Sequence, residues 1–177
     1  MGKGKGYIAP QQFDRMTEEL VSQLPLAQPP VPVEAIAGNL GLTVEYTELG
    51  EGVSGILVAS GVSGTIGINK RDPRVRQRFS IAHEIGHFKL HANASDNLFI
   101  DREYVLFRDD RASRGEIRHE IQANMFAASL LMPASLVKSR VAAGRIDLGD
   151  DEQIDALAST FQVSQAAMAY RIVRLFR

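Results

Sequence analysis

Apolar side chains recur along this chain with two different periods, and the change of period separates predicted helices from predicted strands. The predicted helices cover residues 10–24, 33–40, 73–91, 116–131, 134–144, 151–161 and 164–176. The predicted strands cover residues 42–46, 55–59, 64–69, 98–100 and 104–107. Short strands placed among amphipathic helices indicate an α+β fold.

Prolines and glycines divide the chain into three parts. Several prolines between residues 25 and 32 rule out a regular helix there and indicate a linker after the first helix. A glycine-containing turn at residues 60–63 joins two strands as a hairpin. We predict an N-terminal tail, helix and linker over residues 1–30, a main domain over residues 31–145 and a helical C-terminal subdomain over residues 146–177.

The sequence patterns of two helices predict which of their side chains are solvated and which face the core. A row of four arginines surrounds the start of the helix at residues 73–91. The row consists of Arg71, Arg74, Arg76 and Arg78. It either contacts an acidic partner or covers a solvated face, and we favour the solvated face because charge runs are usually solvated. In the helix at residues 116–131, the predicted apolar face consists of Ile117, Ile121, Met125 and Ala128.

The helix at residues 73–91 contains the pattern His-Glu-x-x-His. His83 and His87 stand one turn apart on one helix face, so their imidazoles can converge on a single tetrahedral Zn²⁺. Glu84 can reach a metal-bound water without being a ligand, which is the position of a general base. Gly86 is unfavourable inside a helix, and its small size indicates that another backbone approaches closely.

A catalytic zinc site normally takes a third protein ligand. His91 lies eight residues beyond His83, about 12 Å along a helix axis, so we expect a supporting or helix-end role. Glu120 is the favoured ligand because His₂Glu is an established zinc set for peptide hydrolysis, and it lies opposite the predicted apolar face. Glu116, one turn earlier, is the fallback. His119 is rotated about 100° from Glu120 and is expected to contact substrate if it acts at all.

Composition excludes several classes of protein. The chain has 177 residues, a net charge of −1 and no cysteine. The near-neutral charge gives no general attraction to nucleic acid or anionic membranes, and the absence of cysteine excludes disulfides and thiolate metal sites. The sequence has no apolar run of membrane-spanning length, and its first residues have no signal-peptide core. We therefore expect a cytoplasmic protein.

Two sequence blocks together resemble the ImmA/IrrE family of metallo-endopeptidases. The first, residues 78–91, reads Arg-Phe-Ser-Ile-Ala-His-Glu-Ile-Gly-His and ends at His91. The second runs from Glu120 through Ala123, Asn124, Phe126 and Ala127 to Leu-Leu-Met-Pro at residues 130–133. The resemblance covers about residues 31–133. It implies a metal site like that of thermolysin, with ligands His83, His87 and Glu120 and general base Glu84.

The resemblance also implies a fold and a substrate. We expect a zincin-like domain with a small mixed sheet packed on the metal helix and on a second ligand-bearing helix. Members of this family are typically paired with a helix-turn-helix repressor, which they cleave to release genes of stress responses or mobile elements. The cofactor expected is Zn²⁺, with Mn²⁺ or Fe²⁺ as alternatives. Tyr104, His91 and His119 are candidate oxyanion donors.

Three alternatives remain open. The strand at residues 98–100 can receive an extended peptide or be a plain sheet edge. The helices at residues 151–176 have helix-turn-helix rhythm, with added charge from Arg171, Arg174 and Arg177. We favour a packing role there over DNA binding, because the intervening alanines offer no base-reading groups. The chain could also be a non-catalytic module that sequesters a repressor around a structural metal.

Overall fold

The computed structural model of the protein describes residues 8–25, 27–92, 97–102, 113–144, 147 and 150–176. Within these residues the chain forms seven helices and four strands. The helices are α1 Pro10–Ser22, α2 Val33–Asn39, α3 Arg74–Leu90, α4 Ser113–Leu131, α5 Ala134–Gly144, α6 Asp151–Phe161 and α7 Gln165–Phe176. The strands are β1 Leu42–Thr47, β2 Val53–Ser60, β3 Ser63–Asn69 and β4 Asn97–Arg102.

The predicted elements are confirmed wherever the structure describes them. α2 is followed by Gly41 at φ 77°, as a glycine C-cap requires. α7 begins after Ser164, whose hydroxyl accepts a hydrogen bond from the backbone of Ala167 at 3.2 Å. The strand predicted at residues 104–107 lies outside the described residues. None of the helices within the described residues is both long and apolar enough to cross a membrane.

The four strands form one mixed sheet in the order β1-β3-β2-β4. β1 runs parallel to β3, and β2 runs antiparallel to both β3 and β4. Leu57, Ile66 and Ile68 point from the sheet into the core, where they are fully buried. They meet the apolar side of α3, which contributes Ile81 and Ile85. The α+β fold with a small mixed sheet against the motif helix is therefore confirmed.

The packing of α4 on α3 depends on small residues. A Cβ atom built on Gly86 would lie 3.1 Å from the Cα of Ala123, so the two backbones touch. The close approach predicted from Gly86 is confirmed. The predicted apolar face of α4 is wrong at Ile121, which is 52% exposed, whereas Met125 and Ala128 are partly buried against the core. The buried stripe instead consists of Ala123, Phe126, Ala127 and Leu130.

The correction has a simple physical reason. The predicted face followed the large apolar side chains of α4, whereas helices that approach closely bury alanine and glycine and carry larger residues beside the contact. The correction also changes the face of α4 to which Glu120 belongs. It lies three and seven residues before Ala123 and Ala127, in line with the buried face rather than opposite it.

The arginine row is solvated at Arg71 and Arg74 but not at Arg78. Arg71 pairs with Glu48 at 2.7 Å, and Arg74 pairs with Glu34 at the same distance. Arg78 is buried and donates to the carbonyl of Val31 at 2.9 Å. Arg74 and Arg78 connect α3 to α2 and to the segment before it, and Arg71 joins the loop after β3 to the loop after β1. The solvated-face interpretation is therefore wrong for Arg78, since charge patterning alone does not distinguish an exposed arginine from a buried one.

The first helix and the last are joined at the far end of α4. Phe13 of α1 is fully buried in the shared core. Arg171 of α7 is 1% exposed; it donates to the carbonyl of Met132 at 2.9 Å and to Asp14 at 2.7 Å. Ser129 donates to the same carboxylate at 2.9 Å. Because Arg171 is buried and hydrogen-bonded inside the protein, it cannot contribute to a DNA-binding surface.

Candidate metal centre

Three side chains from α3 and α4 converge at one point. Nε2 of His83 lies 2.9 Å from Nε2 of His87. The carboxylate of Glu120 reaches both nitrogens, with Oε2 at 3.1 Å from His83 and Oε1 at 3.1 Å from His87. The two imidazoles are 2% exposed and Glu120 is 30% exposed, so the cluster opens to solvent on the α4 side.

The spacing of these atoms fits a small divalent cation. Ligand atoms held at 2.0–2.1 Å from zinc in a tetrahedron lie about 3.3 Å from one another. The three side chains can each offer one donor atom, all within 4.8 Å of one another. Two imidazoles and a carboxylate match the ligands of catalytic zinc sites. The cluster can therefore hold a metal ion.

The Glu120 carboxylate stays ionised down to a pH far below neutral. Burial alone would raise its pKa, but hydrogen bonds from His83 and His87, reinforced by their charge, outweigh burial and lower the pKa to about 2. A metal ligand has to be deprotonated before it binds. Glu120 therefore meets this condition throughout the physiological range.

Asn124 orients the first imidazole of the cluster. Its side-chain oxygen lies 2.9 Å from Nδ1 of His83. With a metal bound, Nδ1 would donate its proton to this oxygen and Nε2 would offer its lone pair to the ion, whereas without metal Nε2 donates to Glu120. Asn124 follows Glu120 by four residues, so both side chains emerge from the same side of α4. The sequence placed Asn124 in a family motif without giving it a role.

Glu84 is fully buried against the sheet. A Cβ built on Gly55 of β2 would lie 2.9 Å from Oε1 of Glu84, and would therefore collide with the carboxylate. Gly55 lies where the pairing of β2 with β4 shifts register, so the strand is locally irregular there. A glycine at this position makes room for the carboxylate. No sequence signal singled out Gly55 as part of the site.

β4 provides a second contact with the metal cluster. The ring of Phe99 stacks on His87, with ring centroids 4.7 Å apart and an angle of 23° between the planes. In the part of the chain that the structure describes, β4 pairs only with β2 and forms an edge of the sheet. The edge of β4 thus runs beside the cluster.

The remaining sequence candidates lie around this centre. His91 follows the last residue of α3 and is buried, with its ring 5.6 Å from that of His87. Its ring stacks on His119 at 3.9 Å. Neither belongs to the converging group, as expected from their spacing. Tyr104 and the side chain of Glu116 lie outside the described residues.

One comparison with known proteins is informative. A peptidase family model described as the IrrE N-terminal-like domain matches residues 37–173, which is most of the chain. The match includes all three converging side chains and the buried glutamate. A search of the curated proteins finds no significant match.

Proposed function

The chain belongs to the IrrE N-terminal-like domain family of metallopeptidases, and from this premise we propose that it is a zinc-dependent endopeptidase that cleaves a helix-turn-helix transcriptional repressor. The observation that carries the proposal is the convergence of His83, His87 and Glu120 at one point. The buried Glu84 lies on α3 between the two histidines. A purely structural metal site has no use for a carboxylate beside its ligands.

The side chains divide the chemical work. His83, His87 and Glu120 would hold the ion, which when bound supplies Lewis acidity and lowers the pKa of its water toward about 7. Glu84 would accept a proton from the attacking water and return it to the nitrogen of the leaving amine. Asn124 would keep His83 in the tautomer that binds metal. His₂Glu suits zinc, and it also accepts Mn²⁺ and Fe²⁺.

An extended peptide is the substrate that suits this site. Among the residues that the structure describes, no strand pairs with the outer edge of β4, whose backbone groups can pair with another strand. Phe99 connects this strand to His87, so a peptide added to β4 would pass beside the metal. Peptide hydrolysis is therefore favoured over hydrolysis of a compact small molecule.

The identity of the substrate rests on family resemblance. Proteins that this chain resembles are paired with helix-turn-helix repressors, and cleavage of such a repressor would release genes of a stress response or of a mobile element. Direct DNA binding by α6 and α7 is disfavoured, because Arg171 points inward. Glu84 is the feature that separates a peptidase from a module that only sequesters the repressor.

The decisive experiment is cleavage of the helix-turn-helix repressor encoded nearest to this gene. Wild type, Glu84→Gln and a chelated sample with metal added back are compared, and bound metal is measured for each. Glu19→Gln, a change on the exposed side of α1, is the matched control. We expect Glu84→Gln to retain metal and to cleave about 10²–10⁴-fold more slowly.

Other results would change the assignment. Equal cleavage by wild type and Glu84→Gln would remove Glu84 from the mechanism. Tight repressor binding without cleavage by metal-loaded wild type would favour the sequestering module. Add-back of Zn²⁺, Mn²⁺ and Fe²⁺ in separate reactions identifies the ions that support activity.

A further inference from the structure

A second concave site lies one helical turn from the metal centre. It is a cavity of about 430 Å³ between the start of α3, the end of α4 and the start of α7. Phe79, Leu131 and Met132 line it from the peptidase core, and Val163 and Ala167 line it from the C-terminal helices. The volume lies within the range of about 300–1,000 Å³ that is typical of small-molecule pockets.

The lining is apolar apart from two residues. Arg76 and Ser164 are the polar residues of the wall. The Ser164 hydroxyl is already engaged in capping α7. Arg76 donates from Nε to Ser54 at 3.1 Å and is half-buried. Within the described residues it has no ion-pair partner, whereas Arg71 and Arg74 of the same row are both paired with glutamates.

A half-buried guanidinium next to an apolar cavity favours a particular ligand chemistry. Its terminal nitrogens can donate two parallel hydrogen bonds to a carboxylate. The apolar walls would bury a hydrocarbon body and gain free energy in proportion to the area removed from water. We propose that this cavity binds an amphipathic monocarboxylate, with its head group on Arg76 and its apolar body between α4 and α7.

The site joins two parts of the molecule. Phe79 lines the cavity, and its ring centroid lies 6.1 Å from that of His83. A ligand would therefore contact the metal-bearing helix and the C-terminal helices at once. Because it binds only the folded chain, it raises the melting temperature in step with the logarithm of its concentration. This inference does not depend on peptidase activity.

Decanoate is the probe, titrated by calorimetry into the full chain below its micelle concentration. Decanol and decylammonium test the head group, and acetate tests the need for the apolar body. All titrations are repeated on metal-free protein, so that coordination of the carboxylate to the metal is distinguished from binding in the cavity.

Two pairs of variants locate the site. Arg76→Gln removes the guanidinium, and Arg71→Gln is its control on the same row. Ala167→Phe fills the cavity, and Ala166→Phe is its control at the adjacent exposed position. We expect one decanoate to bind per chain, with or without metal. Arg76→Gln should weaken decanoate binding at least about tenfold, and decanol should bind wild type at least about tenfold more weakly than decanoate does. Ala167→Phe should abolish binding, and both control variants should bind like wild type.

Three outcomes overturn the proposal. Decanoate binding unchanged in Arg76→Gln or in Ala167→Phe would place the ligand elsewhere. Binding that requires metal would place it on the metal cluster. If decanoate does not bind, but Ala167→Phe raises KM for repressor cleavage and Ala166→Phe does not, the cavity receives a substrate side chain instead.

Discussion

The protein contains two buried polar clusters of opposite character. In the anchor cluster, defined here as Arg171, Asp14 and Ser129, a guanidinium and a hydroxyl both donate to one carboxylate. In the metal cluster of His83, His87 and Glu120, two imidazole nitrogens and a carboxylate converge. The first arrangement already contains its own cation. The second presents three atoms that bind a cation through their lone pairs.

The difference separates structure from function. Buried polar groups are tolerated when they are hydrogen-bonded, and in the anchor cluster Arg171 and Ser129 share the Asp14 carboxylate, which joins α1, α4 and α7. A converging set of acceptors costs folding free energy unless a proton or a metal ion lies between them. In the metal cluster the Glu120 carboxylate accepts from His83 and His87, and a metal ion can take the place of these protons.

The largest predicted effect breaks the anchor cluster. Arg171→Ala leaves the Asp14 carboxylate, which is 22% exposed, without its cation, and should lower the free energy of unfolding by about 3–5 kcal/mol. Urea denaturation measures this change, with Arg140→Ala on the exposed side of α5 as the control. Metal affinity of the folded protein should stay unchanged. A loss of metal binding in folded Arg171→Ala would show that the two clusters are coupled.

The metal cluster should respond to an ion instead. Adding Zn²⁺ at a hundred times its Kd should raise the free energy of unfolding by about 2.7 kcal/mol. Glu120→Ala should lose this stabilisation at the same zinc concentration, while Arg171→Ala should retain it. Thermal melts at several zinc concentrations test the point. Equal stabilisation of wild type and Glu120→Ala would place the ion elsewhere.

A smaller effect is expected at Asn124, which is hydrogen-bonded to the metal ligand His83. Asn124→Ala removes the acceptor of the Nδ1 proton of His83 and should weaken metal binding about 10–100-fold. Competition with a chromophoric chelator measures the affinity. Asn39→Ala, at the exposed end of α2, is the matched control. An unchanged affinity would mean that packing by itself orients the imidazole.

The smallest effect concerns an exposed counterpart of the anchor cluster. Glu34 accepts from Arg74 at 2.7 Å and from Tyr46 at 2.8 Å. Burial raises the pKa of Glu34, but backbone, Tyr46 and Arg74 hydrogen bonds bring it below 4.5. Its stabilisation is therefore present above pH 4.5 and lost as pH falls through the folded pKa. Glu34→Gln should cost less than about 1 kcal/mol at neutral pH, and added salt should reduce the effect in wild type.

That prediction is tested by urea denaturation of wild type and Glu34→Gln across acidic pH. The two proteins should converge in stability as pH falls. A cost comparable to that of Arg171→Ala would mean that exposure does not weaken this pair, and would contradict the contrast drawn between buried and exposed clusters.

Local patterns in the sequence determined the elements and half of the site. Helical and alternating periods identified each described helix and strand, because periodicity records which side of an element meets the core. His83, Glu84 and His87 were evident because a short motif contains its own geometry once it is helical. Glu120 was the correct member of the converging group, although the reason that placed it opposite an apolar face was wrong.

Only the tertiary structure decided how distant elements meet. The contact of Gly86 with Ala123 sets the distance between the two metal-bearing helices, and Gly55 makes room for Glu84 from a strand about thirty residues away. The sequence likewise did not predict the different environments of Arg76, Arg78 and Arg171. A side chain's type limits the bonds it can make. Its partners are set by packing between segments far apart in sequence, which no local period records.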